Sequence, residues 1–303
     1  MNKKLKSLKY VFIGILLGVA FYHLDDIYHQ LKTHELSIKP IIGLFLFSIL
    51  SLILQAYLSK TICLFCNKQL NLFKSLAINV YGALLGIIMP MGSVSYKAIY
   101  LKNTLGLSYT HYASFYGISV LAAFNASLLL LLILCFTASS DIKAQLFIFI
   151  INIIGNSVIF LRKPLARMLN ASWAFKIREI LLYEGFYHKY LKLFIIHCLS
   201  LSCFIAMYFF AFKSFNTENT LFSIAALVAV QNLLFLIPLI PGNLVILEST
   251  AAWMMQFQNI HHYDTVLAVL LLRATSIFCI ILLVFVSNFA LPLKNFIKNR
   301  ELS

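Results

Sequence analysis

Residues 75–96 read Ser75-Leu76-Ala77-Ile78-Asn79-Val80-Tyr81-Gly82-Ala83-Leu84-Leu85-Gly86-Ile87-Ile88-Met89-Pro90-Met91-Gly92-Ser93-Val94-Ser95-Tyr96, without one charged side chain. About 20 apolar residues are enough for a helix to cross a bilayer, so the length by itself suits a span. Pro90-Met91-Gly92-Ser93 interrupts it, and proline and glycine there favour a turn over a continuous helix. The chain is therefore expected to enter the bilayer here and return. A second uncharged window, 219–247, carries a stronger break of the same kind, Pro238-Leu239-Ile240-Pro241-Gly242.

Six further uncharged or nearly uncharged windows surround these two, at 10–24, 41–59, 112–140, 144–161, 193–212 and 265–293, the last broken only by Arg273. Hydrophobic residues make up 61% of the chain and charged residues 11%, against about 25% charge in a soluble domain. A soluble reading is excluded, because so much apolar surface needs lipid. The net charge of +14 would suggest nucleic acid for a soluble protein. In a membrane protein it reflects Lys and Arg gathered in cytoplasmic loops, so no nucleic-acid partner is expected. Lys3, Lys4, Lys6 and Lys9 precede the first window, and Val19-Ala20-Phe21-Tyr22-His23 offers no small-residue cleavage site. The first window is expected to stay as an uncleaved span with a cytoplasmic N-terminus.

Counting basic residues decides between threadings. If all eight windows cross, Lys and Arg divide 12 to 11 between the two sides; if windows 75–96 and 219–247 return, they divide 19 to 4 in favour of the cytoplasm. The largest contribution is Arg162, Lys163, Arg167, Lys176, Arg178, Lys189 and Lys192. The expected fold is all-α and integral to the cytoplasmic (inner) membrane, with about six spanning helices and two re-entrant hairpins. Residues 1–303 form one polytopic domain, with hairpins at 75–103 and 219–258, a cytoplasmic basic loop at 162–192 and both termini in the cytoplasm. One hairpin enters from each side, which is the arrangement of an inverted repeat around a midplane site.

Broken backbone at membrane depth must be buried in protein or line a cavity. Each break is followed by a helix start, with Ser93 or Ser95 expected to cap the first and Gly242 and Asn243 the second. Two helix N-termini with Lys97 nearby suit an anion such as a lipid phosphate. Lys97 also has the structural reading of a lysine snorkelling to the interface. Glu248 and Arg273 are ionisable groups in apolar stretches, where each needs a partner or water, and they are expected to pair with each other. That pair reads either as a lock between the second hairpin and the last helix or as part of a substrate site. Gln231, Asn232, Asn125, Asn152 and Asn156 read as interhelical hydrogen-bonding groups. Cys63-Leu64-Phe65-Cys66 stands alone, without a second pair or nearby histidines, and the six cysteines read as buried apolar residues. Asp25-Asp26 reads as a solvated loop, and His261 and His262 as surface groups. No catalytic motif is present, and neither metal nor cofactor is expected.

Pro241-Gly242-Asn243-Leu244 through Glu248, with Arg273 in the final window, resembles the pattern of the lysylphosphatidylglycerol synthetase transmembrane family, also called flippase-like. Pro90 through Lys97-Ala98-Ile99-Tyr100-Leu101-Lys102 is similar to that family's earlier proline, glycine and basic segment. The resemblance covers nearly the whole chain and implies movement of a lipid across the membrane. With the sequence ending at Ser303, the cytoplasmic synthetase fused to some relatives is not expected here. Many relatives carry an acidic residue shortly after the first glycine, whereas Gly92-Ser93-Val94-Ser95-Tyr96 has none, which points away from a cationic headgroup.

The expectation is therefore translocation of an anionic or phosphate-bearing lipid, with Ser93, Ser95, Lys97, Gly242, Asn243, Glu248 and Arg273 at the headgroup. Two other classes stay open. One is a non-transporting membrane partner that holds a lipid- or glycan-modifying enzyme through loop 162–192. The other is a membrane transferase with a lipid-linked donor, which should turn that donor over in detergent.

Overall fold

The computed structural model describes residues 37–88, 91–138, 142–161, 163–164, 182, 185–217, 220–235, 246–256 and 262–287. The first window, Asp25-Asp26, Pro90, most of the basic loop, and Pro238 through Asn243 lie outside the described residues. Among the described residues the regular elements are all helical: α1 (Ile38–Phe65), α2 (Leu72–Ile88), α3 (Gly92–Leu105), α4 (Tyr109–Ala138), α5 (Ile142–Phe160), α6 (Phe186–Ser214), α7 (Leu221–Phe235), α8 (Ile246–Gln256) and α9 (His262–Ser287). Four of them contain segments long and apolar enough to cross a membrane, Ile38–Phe65, Tyr109–Thr137, Phe186–Ser214 and Asp264–Val286. The chain is an all-α membrane protein. In a hydrocarbon medium every backbone N–H and C=O must be satisfied within the chain, and a helix does so locally.

The helices on either side of α5 repeat one order: long, short, short, long. Described lengths are 28, 17, 14 and 30 residues for α1 to α4 and 29, 15, 11 and 26 for α6 to α9. The leading helices α1 and α6 run antiparallel. The Ser37 amide donates to the Ser214 carbonyl at one end of the bundle (3.0 Å), and Lys189 Nζ donates to the Phe65 carbonyl at the other (3.1 Å). Gly43 lets them close together, since a Cβ there would lie 2.8 Å from the Phe210 ring.

A shared apolar cluster fixes where the first short pair begins and ends. Cys63 near the end of α1, Leu70 before α2, Leu101 and Leu107 at the exit of α3, Tyr112 near the start of α4 and Phe186 at the start of α6 pack together. The α2–α3 pair thus returns to the end of the bundle from which it left. At the opposite end Phe212, Phe215, Ile224, Ala251, Leu267 and Ala268 join another cluster, which gathers the end of α6, the start of α7, α8 and the start of α9. The pairs cross over between halves: α2 packs on α9 through Val80, Cys279 and Ile280, while α7 is tied to α4 by Asn232 Nδ2 donating to Ser127 Oγ (2.7 Å).

The turn between α2 and α3 is tight. Met91 takes the left-handed conformation (φ 57°, ψ 9°) and precedes α3 without a side-chain cap. The expectation that Ser93 or Ser95 caps this helix is corrected: α3 begins at Gly92, so both serines already lie inside its first turns. Gly92 is required sterically, because a Cβ there would stand 2.4 Å from the Leu85 carbonyl oxygen. α3 stops at Gly106, whose φ of 64° accepts the left-handed C-cap that glycine adopts at least cost.

Candidate functional site

α2 and α3 press together along a glycine face. A Cβ on Gly82 would meet Lys97 Cε and Ser93 Oγ at 3.2 Å, and one on Gly86 would meet Ser93 Cβ at 3.4 Å. Small residues four apart let helix backbones approach closely in a membrane, and here they make room for a lysine stem. Lys97 is partly buried. Among the described residues it has no hydrogen-bond or ion-pair partner. Tyr96 lies between Tyr81 and Tyr100, with ring centroids 6.3 and 6.2 Å away. Ser93 is half-buried against α2, whereas Ser95 is exposed, so the hairpin brings Ser93 and Lys97 together and leaves Ser95 outside that contact.

The second group sits where α8 starts. Glu248 occupies the first turn of α8, where the unpaired helix N–H groups favour a carboxylate. Arg273 on α9 meets it in a two-point contact, Nε to Oε1 at 2.7 Å and Nη2 donating to Oε2 at 3.0 Å. Nη2 makes the hydrogen bond, while Nε is close but not aligned to donate, so the contact is an ion pair with one hydrogen bond. The pair expected from the sequence is therefore present. It is not sealed: the arginine and glutamate side chains keep 14% and 19% of their exposure. The Tyr208 hydroxyl of α6, deep in the bundle, donates to Gln231 Oε1. Arg273 lies six residues before Cys279, one turn and a half from where α2 docks on α9. Gly242 and Asn243 lie outside the described residues.

Two of the remaining polar contacts tie helices together, whereas Asn152 and Asn156, expected to bond between helices, bond to each other within α5. Asn125 Nδ2 donates to Tyr190 Oη (2.8 Å), Ser119 Oγ meets His197 Nε2 (2.9 Å), and Asn156 Nδ2 donates to Asn152 Oδ1 along α5 (2.9 Å). Tyr208 and His197 were not picked out from the sequence. Their signal was a polar group in an otherwise apolar helix, which was applied to Asn and Gln but not to Tyr and His.

No curated protein matches the chain. The family described as lysylphosphatidylglycerol synthase TM region is matched over residues 7–283, which takes in both short helix pairs and the Glu248–Arg273 contact, and the chain belongs to that family.

Proposed function

We propose that this protein moves an anionic or phosphate-bearing lipid between leaflets of the cytoplasmic membrane. The observation that carries the reading is the Glu248–Arg273 pair. Charged side chains at membrane depth cost at least about 2.5–3.5 kcal/mol each, and such a pair that keeps partial access suits exchange with a charged headgroup. In the proposed cycle Arg273 releases Glu248 and takes the headgroup phosphate, while Lys97, braced on Gly82, offers a second cation from the other hairpin. Glu248 regains Arg273 as the phosphate leaves. The absence of an acidic residue beside Gly92 favours simple anionic headgroups over lysylated ones.

In this reading the α2–α3 and α7–α8 pairs are re-entrant hairpins from opposite faces, and α5 and residues 10–24 complete six spans. α5 is 19 residues, about 28 Å, close to the hydrocarbon thickness of a bilayer. The cytoplasmic face is the end holding Lys60, Lys68, Lys74, Lys102, Lys189 and Lys192, by the bias of basic loops to the inside. Both termini lie there too.

Liposomes carrying the purified protein test this directly. Fluorescent phosphatidylglycerol, lysylated phosphatidylglycerol and a polyprenyl phosphate should be compared, with and without an ion gradient. Anionic lipid should cross fastest, and Lys97→Glu should slow it. Folded protein that moves none of the three would overturn the proposal, and crosslinking from Lys176 and Lys189 would then look for an enzyme partner.

A further inference from the structure

In each half the two arms of the short pair are held differently. The first arms are tied into the bundle by buried polar groups. On α2, Ser75 Oγ donates to the Ala56 carbonyl of α1 and Asn79 Nδ2 donates to Ser59 Oγ, also of α1 (2.9 Å). On α7, Gln231 accepts from Tyr208 of α6 and the next residue, Asn232, donates to Ser127 of α4. The second arms bury far less. α3 buries only Leu101, and of the described side chains of α8 those buried are Ala251 and Ala252. In a membrane, helices are held by packing and interhelical hydrogen bonds rather than by a hydrophobic drive, and two alanines supply little packing surface.

The charges ride on these less buried arms, Lys97 on α3 and Glu248 on α8. Arg273 does not. α9 is held on both sides of it, by Val269 and Leu272 in one apolar cluster and by Cys279 and Ile280 in another. The ion pair thus joins a lightly packed helix to a fixed one, and it does so at the first turn of α8, where Glu248 lies. Once released, Glu248 is not stranded, because the free N–H groups at the start of its own helix still favour a carboxylate.

We infer that the Glu248–Arg273 pair is a latch on α8 that the headgroup phosphate opens: the phosphate takes Arg273 from Glu248, and α8 then moves while α2, α7 and α9 stay in place. The inference rests on the reading above that Arg273 receives the headgroup. A ligand shifts an equilibrium only by the difference in its affinity for the two states. Phosphate gains Arg273 only where Glu248 has let go, so it favours the unlatched state, and opening comes with binding.

Hydrogen exchange read by mass spectrometry on the full chain in nanodiscs tests this, with α7 as internal reference. Replacing phosphatidylcholine by phosphatidylglycerol should speed exchange in α8 about fivefold or more, the low end of couplings between linked sites, and leave α7 unchanged. Glu248→Gln, which lacks the latch, should exchange fast in both lipids alike. Equal exchange of wild-type α8 in the two lipids, or a rise shared by α7, overturns the inference, as does a Glu248→Gln variant that still responds to phosphatidylglycerol. Glycerol phosphate added in solution to phosphatidylcholine nanodiscs is the arm for a free phosphate. It should have no effect, and a response to it without one to phosphatidylglycerol overturns the lipid as the occupant. Lipid movement in liposomes decides the transport reading separately. If lipid moves while α8 does not respond, the latch fails and the transport reading stands. If α8 responds and no lipid moves, the latch stands as an opening driven by the anion and the transport reading fails.

Discussion

At the scale of single residues the ion pair makes the sharpest demand. Removing one partner leaves the other charged in a poorly solvated place, a loss of up to about 3 kcal/mol when the pair is mostly buried. Glu248→Gln and Arg273→Gln should each lower the melting temperature, and the double variant should lose less than the two single losses combined. Strict additivity would mean that the residues do not meet in the membrane. Arg273→Lys keeps the charge but gives up the two-point contact, so it should retain part of the stability and lose most of the coupling. Glycines offer a graded control. Gly92→Ala drives a methyl group against the Leu85 carbonyl at 2.4 Å, where no flexible side chain can yield, and should cost about 1–3 kcal/mol. A Cβ at Gly117 meets nothing within 4 Å, so Gly117→Ala should be neutral or stabilise by up to about 1 kcal/mol through helix propensity. Equal effects of the two on thermal unfolding would refute the tight turn.

Among elements, the first hairpin carries the clearest expectation. A Cβ on Gly82 would stand 3.2 Å from Lys97 Cε and Ser93 Oγ and 3.3 Å from the Ser93 carbonyl oxygen, so the two side chains and the α3 backbone must all give by a few tenths of an ångström. Gly82→Ala should therefore slow transport of anionic lipid at a modest cost in thermal stability, smaller than that of Gly92→Ala, whose Cβ would stand 2.4 Å from backbone; equal losses of stability in the two variants would contradict this packing. Apart from α3 and α8, which carry Lys97, Lys102 and Glu248, the described helices were legible as charge-free windows, but their ends were not. The window at 41–59 stops at Lys60 and that at 193–212 starts after Lys192, whereas α1 runs to Phe65 and α6 begins at Phe186. Lysines were read as ends, and here they are accommodated on helices. Lys189 lies over the Phe65 and Phe115 rings at 5.1 and 5.3 Å, and Lys192 over Tyr57 at 5.7 Å. Long basic side chains lay their stems along apolar surface and their charges on aromatic faces, so a lysine does not by itself end a membrane helix.

For the whole molecule the antiparallel halves give a test of orientation. α1 separates the turn at Lys68 from Ser37, which is bonded to the end of α6 beside Thr217. Single cysteines at these two turns must then lie on opposite faces. Thr217→Cys should react with a membrane-impermeant thiol reagent in intact cells and Lys68→Cys only after permeabilisation, in a chain otherwise free of cysteine. The reverse pattern would invert the proposed orientation, and labelling of both from one side would contradict the span between them.

Membrane residence and helical class followed from the sequence by itself, because an apolar chain in lipid has few ways to satisfy its backbone and a helix is the local one. The turn after α2 was equally legible, since Gly92 acts on its own near neighbours, Leu85 and Gly86. Which helices touch was settled by tertiary structure alone. Gly82 with Lys97 depends on how closely two helices fold back, Ser119 with His197 on which spans become neighbours, and Phe45 with Phe278 on bringing together residues from opposite ends of the chain. The pairing of Glu248 with Arg273 stands between these cases. The cost of a lone charge in lipid made a partner necessary and the sequence offered one, but only the packing of α8 on α9 brought the guanidinium against the carboxylate.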